Sequence, residues 1–169
     1  MTSTTPAAPP SALDLPIPVR WTDLDAYGHV NNAAMVRLLE EARIAAFWQP
    51  PAEQLALGAP VPPAALPVGG SGAPVSTVIA SQRLEYARPL GHRRDGVVVR
   101  LWLSRIGGAS LSVEYLVLTR DDPEGRAPYV RARTVVVLVD AATGAPVRLA
   151  EEARQQLLRL QGEPLRFRD

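Results

Sequence analysis

The segment from residue 23 to residue 32 contains the densest group of potentially reactive side chains in the sequence. It reads DLDAYGHVNN and holds two carboxylates, one histidine and two asparagines. The chain has no cysteine, which excludes a thiolate nucleophile, a thiolate–metal site and disulfides. Of the two histidines, His29 lies in this segment and His92 lies in a basic turn. Residues 23–32 are therefore the candidate site.

This candidate site directly precedes a stretch with helical periodicity, and four interpretations of it are open. Short polar residues at that place can simply cap the helix by satisfying its free N–H groups. A calcium loop would need a bidentate Glu at its twelfth position, which is Ala34, and is excluded. A transition-metal site built on Asp23, Asp25 and His29 lacks a further cluster of ligands to complete it.

Carboxylate catalysis at the start of a helix is the fourth interpretation. Backbone N–H groups and the positive end of the helix dipole can hold a carbonyl oxygen as it gains negative charge. A nearby Asp can attack the carbonyl carbon or activate a water molecule. Such a site suits acyl transfer. On local pattern alone, capping and catalysis both remain open.

The elements that must position this segment follow from hydrophobic periodicity and turn residues. Apolar residues at three- and four-residue spacing predict a long helix over residues 33–48, capped by Asn31 or Asn32 and ended by Pro50 and Pro51. The apolar stripe of this helix consists of Met35, Leu38, Leu39, Ala42, Ala45 and Ala46. Strands are predicted over residues 17–22, 75–87, 96–106, 109–120 and 128–139, and a C-terminal helix over residues 150–160. That order gives an α+β fold whose last four strands run as a meander.

A single domain fits the length of 169 residues. Residues 1–14 are predicted to form a disordered N-terminal tail, residues 15–162 the folded domain and residues 163–169 a C-terminal tail. Within the domain, residues 49–74 are rich in Ala, Pro and Gly. This composition predicts a long loop, which is a candidate lid.

Charge and hydropathy disfavour several classes of partner. A formal net charge of +1 gives no field that would attract a nucleic acid or an anionic membrane. No stretch approaches the roughly 20 apolar residues of a membrane span, and the first residues lack the pattern of a signal peptide. We therefore expect a cytoplasmic protein with no nucleic-acid partner, no membrane partner, and no metal or other cofactor.

Residues 20–43, which read RWTDLDAYGHVNNAAMVRLLEEAR, carry a pattern that resembles a known family. The pattern D-x-D-x-x-G-H-V-N-N, followed by a helix and E-x-A-R, is similar to that of the hot-dog-fold thioesterases of the 4-hydroxybenzoyl-CoA thioesterase-like group. The likeness continues in LEYARPL at residues 84–90, RIGGAS at residues 105–110 and VVVLVDAATGAPVRL at residues 135–149. Together the resemblance spans about residues 15–160.

The resemblance implies both a fold and an assembly. In the hot-dog fold a five-stranded antiparallel sheet wraps around a long central helix, and the sequence adds a C-terminal helix to that arrangement. Two subunits of such proteins form one continuous sheet, and dimers often pair into tetramers. The resemblance therefore implies a homodimer or homotetramer with active sites between subunits.

Catalytic roles follow from the resemblance position by position. Asp25 matches the family's catalytic aspartate, acting as nucleophile or as general base toward water. The backbone N–H of Asn32 matches the group that polarises the thioester carbonyl. Asp23, His29 and Asn31 match positions that hold the turn and line the site, and His29 is counted among the catalytic residues.

A second set of residues is expected to contact the substrate. Met35 stands where relatives often carry Tyr, and it is either an apolar contact for the acyl group or a core residue. Arg88, Arg93 and Arg94 form a basic cluster that either binds CoA phosphates or is an ordinary solvated turn. Ser110 either meets the pantetheine arm of CoA or is an ordinary strand residue.

Hydrolysis of an acyl-CoA thioester to free acid and CoA is the function that the resemblance implies. The alternative is a non-catalytic hot-dog module that binds acyl-CoA as a sensor or scaffold. A hydratase is disfavoured, because the layout G-D-x-N-P-x-H expected of hydratases is missing around the candidate site.

Overall fold

Residues 8–64, 66, 68 and 72–168 are described by the computed structural model of the chain. The strands are β1 (Leu13–Ile17), β2 (Val75–Tyr86), β3 (Val97–Ile106), β4 (Ser110–Leu118) and β5 (Val130–Asp140). The α-helices are α1 (Asn32–Phe47), α2 (Ala52–Ala56) and α3 (Glu151–Leu158), and a 3-10 helix spans Trp21–Asp23. None of the helices within the described residues is long and apolar enough to cross a membrane.

The five strands form one antiparallel sheet in the order β1-β3-β4-β5-β2. The predicted meander is correct for β3, β4 and β5 but wrong for β2, which pairs with β5 at one edge of the sheet. β1 forms the opposite edge beside β3. Together with α1 this is the predicted α+β hot-dog fold, with a C-terminal helix added.

Helix α1 begins directly after its N-cap residue, Asn31. The Asn31 side chain accepts a hydrogen bond from the N–H of Ala33 at 2.8 Å, as expected for an N-cap residue. The predicted stripe is buried against the sheet except for Ala45, which is exposed. Arg43, which is not part of the predicted apolar stripe, is also buried, and its guanidinium donates to the hydroxyl of Tyr115 at 3.3 Å.

The first strand lies earlier than predicted. Residues 17–22 were expected to form it, but β1 ends at Ile17 and pairs Leu13 with Leu101 through Ile17 with Val97. The chain then turns, because the carboxylate of Asp23 accepts the N–H of Arg20 at 2.7 Å and closes the 3-10 helix. The strand thus takes in the last two residues of the predicted N-terminal tail, and residues 1–7 lie outside the described part.

The Ala- and Pro-rich stretch of residues 49–74 contributes to the core, contrary to expectation. It contains the short helix α2. Beyond that helix Ala64, Leu66 and Val68 are buried in the main core cluster. The N–H of Leu66 donates to the carbonyl of Phe47 at 2.8 Å, which fixes the stretch against the end of α1. The described part of this stretch therefore packs as a wall of the core, and residues 65, 67 and 69–71 lie outside the description.

The outer face of the sheet is covered by the C-terminal segment. Trp102 on β3 is fully buried and packs with Leu165, and its indole N–H donates to the carbonyl of Glu163 at 2.9 Å. Beside it, Arg133 forms an ion pair with the buried carboxylate of Glu114 at 2.5 Å. The described residues of the predicted C-terminal tail, residues 163–168, therefore pack as part of the domain.

Candidate active site

The carboxylate of Asp25 is held by the backbone of its own loop, residues 23–31, which we call the Asp25 loop. Its Oδ1 accepts the N–H of Tyr27 at 2.8 Å and the N–H of His29 at 3.1 Å. The loop closes through the N–H of Asp25, which donates to the carbonyl of His29 at 2.8 Å. Gly28 adopts a positive φ of 76° in this turn, a conformation that glycine takes without strain. Among the described residues, Oδ2 of Asp25 accepts no hydrogen bond, so that oxygen is available to a ligand.

Asp23 is used differently from Asp25. It is buried, its Oδ2 accepts the N–H of Arg20, and its carbonyl accepts the N–H of Asn31 at 2.8 Å. It therefore holds the Asp25 loop against the start of α1. Within the described ranges, no three His, Asp or Glu side chains come together as a set of metal ligands.

The first turn of α1 contains backbone N–H groups that the helix itself cannot satisfy. The N–H of Ala33 is satisfied by the side-chain oxygens of Asn31 and Asn32, at 2.8 and 2.9 Å. The N–H of Met35 donates to the carbonyl of Asn31. The N–H of Asn32 donates to no acceptor in the part of the chain that the structure describes. Since this residue is exposed, its N–H can meet a ligand at the positive end of the helix dipole.

Asp25 and Asn32 both line one open groove of about 660 Å³. The Asp25 loop and the start of α1 form one wall, and the end of β2 with the residues after it forms the other. The groove brings together six of the residues singled out from the sequence: Asp25, His29, Asn31, Asn32, Met35 and Arg88. Met35 is almost fully buried, so it belongs to the core while it forms part of the groove floor.

The two walls are joined by backbone hydrogen bonds. The N–H of Val30 donates to the carbonyl of Leu90 at 2.7 Å, and His29 forms an isolated antiparallel bridge with Gly91. The His29 side chain is exposed beside the groove. The segment that follows β2 is therefore fixed next to the Asp25 loop.

The basic residues predicted to bind CoA phosphates occupy different surroundings. Arg88 lines the groove, where its guanidinium lies 3.7 Å above the centre of the Tyr129 ring. Arg93 lies outside the groove and pairs with the carboxylates of Asp95 at 3.1 Å and Asp121 at 3.4 Å. These partners raise the pKa of Arg93 and offset its charge.

Two further predicted contacts also lie outside the groove lining. Arg94 is exposed and makes no side-chain hydrogen bond or ion pair with the described residues. Ser110 is the first residue of β4, opposite Val137 of β5 and next to the Gly107 turn. The structure does not bring either side chain together with Asp25.

Tyr86 is the groove residue that the sequence did not single out. It ends β2, and its hydroxyl donates to the carbonyl of Asn32 at 3.3 Å. Burial in the groove wall raises the pKa of its phenol, so the hydroxyl keeps its proton at neutral pH. Its only signal in the sequence is its place within LEYARPL, 54 residues from Asn32.

Comparison with known proteins identifies the family. Residues 19–157 match the family model described as the thioesterase-like superfamily. The chain belongs to the thioesterase-like superfamily. Since the match includes the Asp25 loop, α1 and all of β2 to β5, this membership covers both walls of the groove.

Two solved structures and one further protein are similar to this thioesterase-like chain. The PA2801 protein of Pseudomonas aeruginosa is 32% identical, with a TM-score of 0.63 over 84% of this chain and 95% of that chain. A thioesterase of Thermus thermophilus, solved in complex with coenzyme A and Zn, is 28% identical, with a TM-score of 0.60 over 92% and 97% of the two chains. The uncharacterized protein YsmA of Bacillus subtilis is 26% identical over 144 residues, which are 84% of this chain and 82% of YsmA.

Proposed function

We propose that this protein hydrolyses an acyl-CoA thioester to the free acid and CoA, with Asp25 as the catalytic carboxylate. Membership of the thioesterase-like superfamily supports thioester hydrolysis. The CoA part is supported by the similar Thermus thermophilus thioesterase, which was solved with coenzyme A. The observation that carries the proposal is that Asp25 and Asn32 line the same groove, while Oδ2 of Asp25 and the N–H of Asn32 have no hydrogen-bond partner among the described residues.

The proposed chemistry divides between these two groups. The thioester carbonyl accepts the N–H of Asn32, and the helix dipole stabilises the oxyanion that forms when the carbonyl carbon is attacked. As a general base, Asp25 takes a proton from the attacking water through Oδ2. As a nucleophile, the same oxygen attacks the carbon and forms an acyl anhydride that water then cleaves. In both routes the C–S bond breaks and CoA leaves as the thiol, whose proton comes from Asp25 in the general-base route and from water in the nucleophilic route.

Both routes need the carboxylate to stay in one orientation. The N–H groups of Tyr27 and His29 bind Oδ1 and leave Oδ2 without a partner among the described residues, and Asp25 lines the groove. His29 thus acts through its backbone, while its exposed ring and the Asn31 side chain border the substrate. Met35 offers an apolar contact to the acyl group at the groove floor.

A second copy of the chain is proposed to complete the groove. β2 is an edge strand of 12 residues, and its surface includes Val78 at 47% and Ile79 at 43% exposure. An exposed, apolar edge of this length is a surface that pairs with another strand. Pairing of two β2 edges would extend the sheet and place the partner beside Tyr86, at the open side of the groove. We therefore propose a homodimer, or a tetramer built from such dimers, with active sites between subunits.

Thiol release from a panel of aromatic, branched and linear acyl-CoA substrates tests the function. The wild-type protein is expected to hydrolyse at least one of them. Asp25→Asn keeps the size of the side chain and an oxygen for the two N–H groups but removes the base, so kcat is expected to fall at least about 10²-fold. Asp140→Asn, at the last residue of β5 and outside the groove lining, is the matched control, because Asp140 also accepts two backbone N–H groups through Oδ1; it is expected to keep wild-type kcat.

Two outcomes would contradict the proposal in different ways. Turnover of the Asp25→Asn protein near the wild-type rate would remove Asp25 from the mechanism. CoA binding by the wild-type protein without hydrolysis of any acyl-CoA would favour the non-catalytic acyl-CoA-binding module instead.

A further inference from the structure

An exposed aromatic pair lies next to the proposed active site. The Trp21 side chain stacks on the His92 ring, with the ring centres 3.9 Å apart and the planes 9° from parallel. Trp21 nevertheless remains 72% exposed. Another flat ring can stack on the exposed face of an indole that is held in one orientation.

The stack is tied to the groove through the backbone. His92 follows Gly91, which pairs with His29 of the groove. Neighbouring Cα atoms lie about 3.8 Å apart and antiparallel partners about 5 Å apart, so the His92 backbone lies within about 10 Å of the His29 backbone. On the other side, Trp21 begins the 3-10 helix that leads into Asp25. Both rings are therefore fixed by segments that also hold the proposed catalytic groups.

Three arginines lie close to His92 in the sequence. Arg88 lines the groove four residues before His92, and Arg94 is exposed two residues after it. Neither guanidinium forms an ion pair with a described carboxylate, whereas Arg93 between them is paired with Asp95 and Asp121. Arg88 contacts the Tyr129 ring and the carbonyl of Ala127. Two cations on the segment that carries His92 match a ligand that combines phosphates with a flat base.

We propose that the Trp21–His92 stack binds the adenine ring of the CoA substrate, while Arg88 and Arg94 bind its phosphates. The inference rests on the proposed function and deepens it by assigning the nucleotide end of the substrate. With the thioester beside Asn32, the pantetheine arm runs along the groove past His29 and delivers the adenine to the open face of Trp21. The indole then lies between adenine and imidazole in a three-ring stack.

Steady-state kinetics with two substrates test this assignment. One substrate is an acyl-CoA that the wild-type protein hydrolyses, and the other is the same acyl group on pantetheine, which has no nucleotide. Trp21→Ala is expected to raise KM for the acyl-CoA about tenfold, the loss typical of one base–aromatic stack. It should leave kcat/KM for the acyl-pantetheine unchanged. Trp21→Phe keeps an aromatic ring and should recover most of the affinity.

Leu57→Ala is the matched control, because Leu57 is also an exposed apolar side chain but lies at the end of α2. It is expected to leave both substrates unaffected. Equal changes in KM for acyl-CoA and acyl-pantetheine in Trp21→Ala would overturn the proposal, and so would no change in either. A shift of oligomeric state on Trp21→Ala, measured by light scattering, would also overturn it, since Trp21 would then be a subunit contact.

A binding measurement separates this inference from the hydrolytic function. Adenosine 3′,5′-bisphosphate is titrated into wild-type and Trp21→Phe proteins, and tryptophan fluorescence is recorded. Quenching in the wild type that is absent from Trp21→Phe supports the stack even if no acyl-CoA is hydrolysed. Hydrolysis of acyl-CoA with equal quenching in both proteins would leave the function in place and reject the stack.

Discussion

The hydroxyl of Tyr86 donates to the carbonyl of Asn32 across 3.3 Å, which links the end of β2 to the first turn of α1. This bond is long compared with the usual O–H···O distance of about 2.7–2.8 Å. A phenol held so weakly can also turn toward a substrate carbonyl placed beside the N–H of Asn32. Tyr86 therefore either fixes Asn32, whose N–H is the proposed donor to the oxyanion, or supplies a second donor to the oxyanion.

Removal of this hydroxyl is expected to affect turnover more than substrate binding. Tyr86→Phe should lower kcat about tenfold with little change in KM, since one hydrogen bond contributes about 0.5–1.5 kcal/mol. Ser81→Ala removes an exposed hydroxyl from the same strand and serves as control. The carbonyl stretch of an acyl-CoA bound to Asp25→Asn distinguishes the two roles. If Tyr86 donates directly to the substrate carbonyl, the carbonyl band of the bound acyl-CoA shifts when Tyr86→Phe is combined with Asp25→Asn. If the band does not shift, Tyr86 only positions Asn32.

The two acids of the Asp25 loop are expected to differ in their effect on stability. Asp23→Asn weakens the charge-assisted bond to the N–H of Arg20 in a buried place, so the unfolding free energy should fall by about 1–2 kcal/mol. Asp25→Asn keeps an acceptor for the N–H groups of Tyr27 and His29 and should change Tm much less. Thermal unfolding of both variants measures the contrast. Equal losses of Tm would show that Asp25 also has a major structural role.

The β2 edge predicts the oligomeric state. Ile79→Lys places a charge on the exposed edge, where it should oppose pairing with a second copy and shift the protein toward the monomer. Light scattering coupled to gel filtration gives the mass. Leu57→Lys is the control, because Leu57 directly follows α2 and is more exposed than Ile79; it should leave the assembly intact. An unchanged mass for Ile79→Lys would place the interface elsewhere.

The buried phenol of Tyr115 predicts a loss of stability at alkaline pH. Burial raises the pKa of Tyr115 above its ordinary value of 10.0, against the opposing influence of Arg43. Above pH 10 the unfolded chain loses this proton while the folded protein keeps it, so stability falls as pH rises toward the folded pKa. Tyr115→Phe should cost about 1–2 kcal/mol at neutral pH, because Arg43 loses its hydroxyl partner.

The unfolding free energy of Tyr115→Phe should decline less steeply above pH 10 than that of the wild-type protein. Urea unfolding below and above that pH gives both slopes. Parallel slopes for wild type and Tyr115→Phe would show that other groups cause the alkaline loss.

Local signals in the sequence located α1 and the Asp25 loop correctly. Asn31 caps the helix and Pro50 follows its end, so both predicted boundaries lie within one residue of the observed ones. The reactive residues of the loop are contiguous, so their proximity did not depend on the fold. Alternation likewise predicted β3, whose residues at positions 97, 99, 101 and 103 face the core.

The features that the sequence did not predict depend on contacts between residues that are far apart in the chain. The limits of β1 depend on its register with β3, about 85 residues later, and the place of β2 depends on β5. Tyr86 reaches the site only because β2 ends beside α1. The pairing of Arg93 with Asp121 joins two separate turns, which a basic run in the sequence could not indicate.

The packing of Trp102 against Leu165 has a consequence for how the chain matures. Because a ribosome makes the N-terminal part first, β3 is complete while the residues that cover its outer face are still to be synthesised. The indole of Trp102 then lacks the cover of Leu165 until the segment that contains Leu165 has been synthesised. A nascent chain therefore exposes an apolar patch that this later segment covers, and removal of residues 163–168 would leave an aggregation-prone surface on an otherwise assembled sheet.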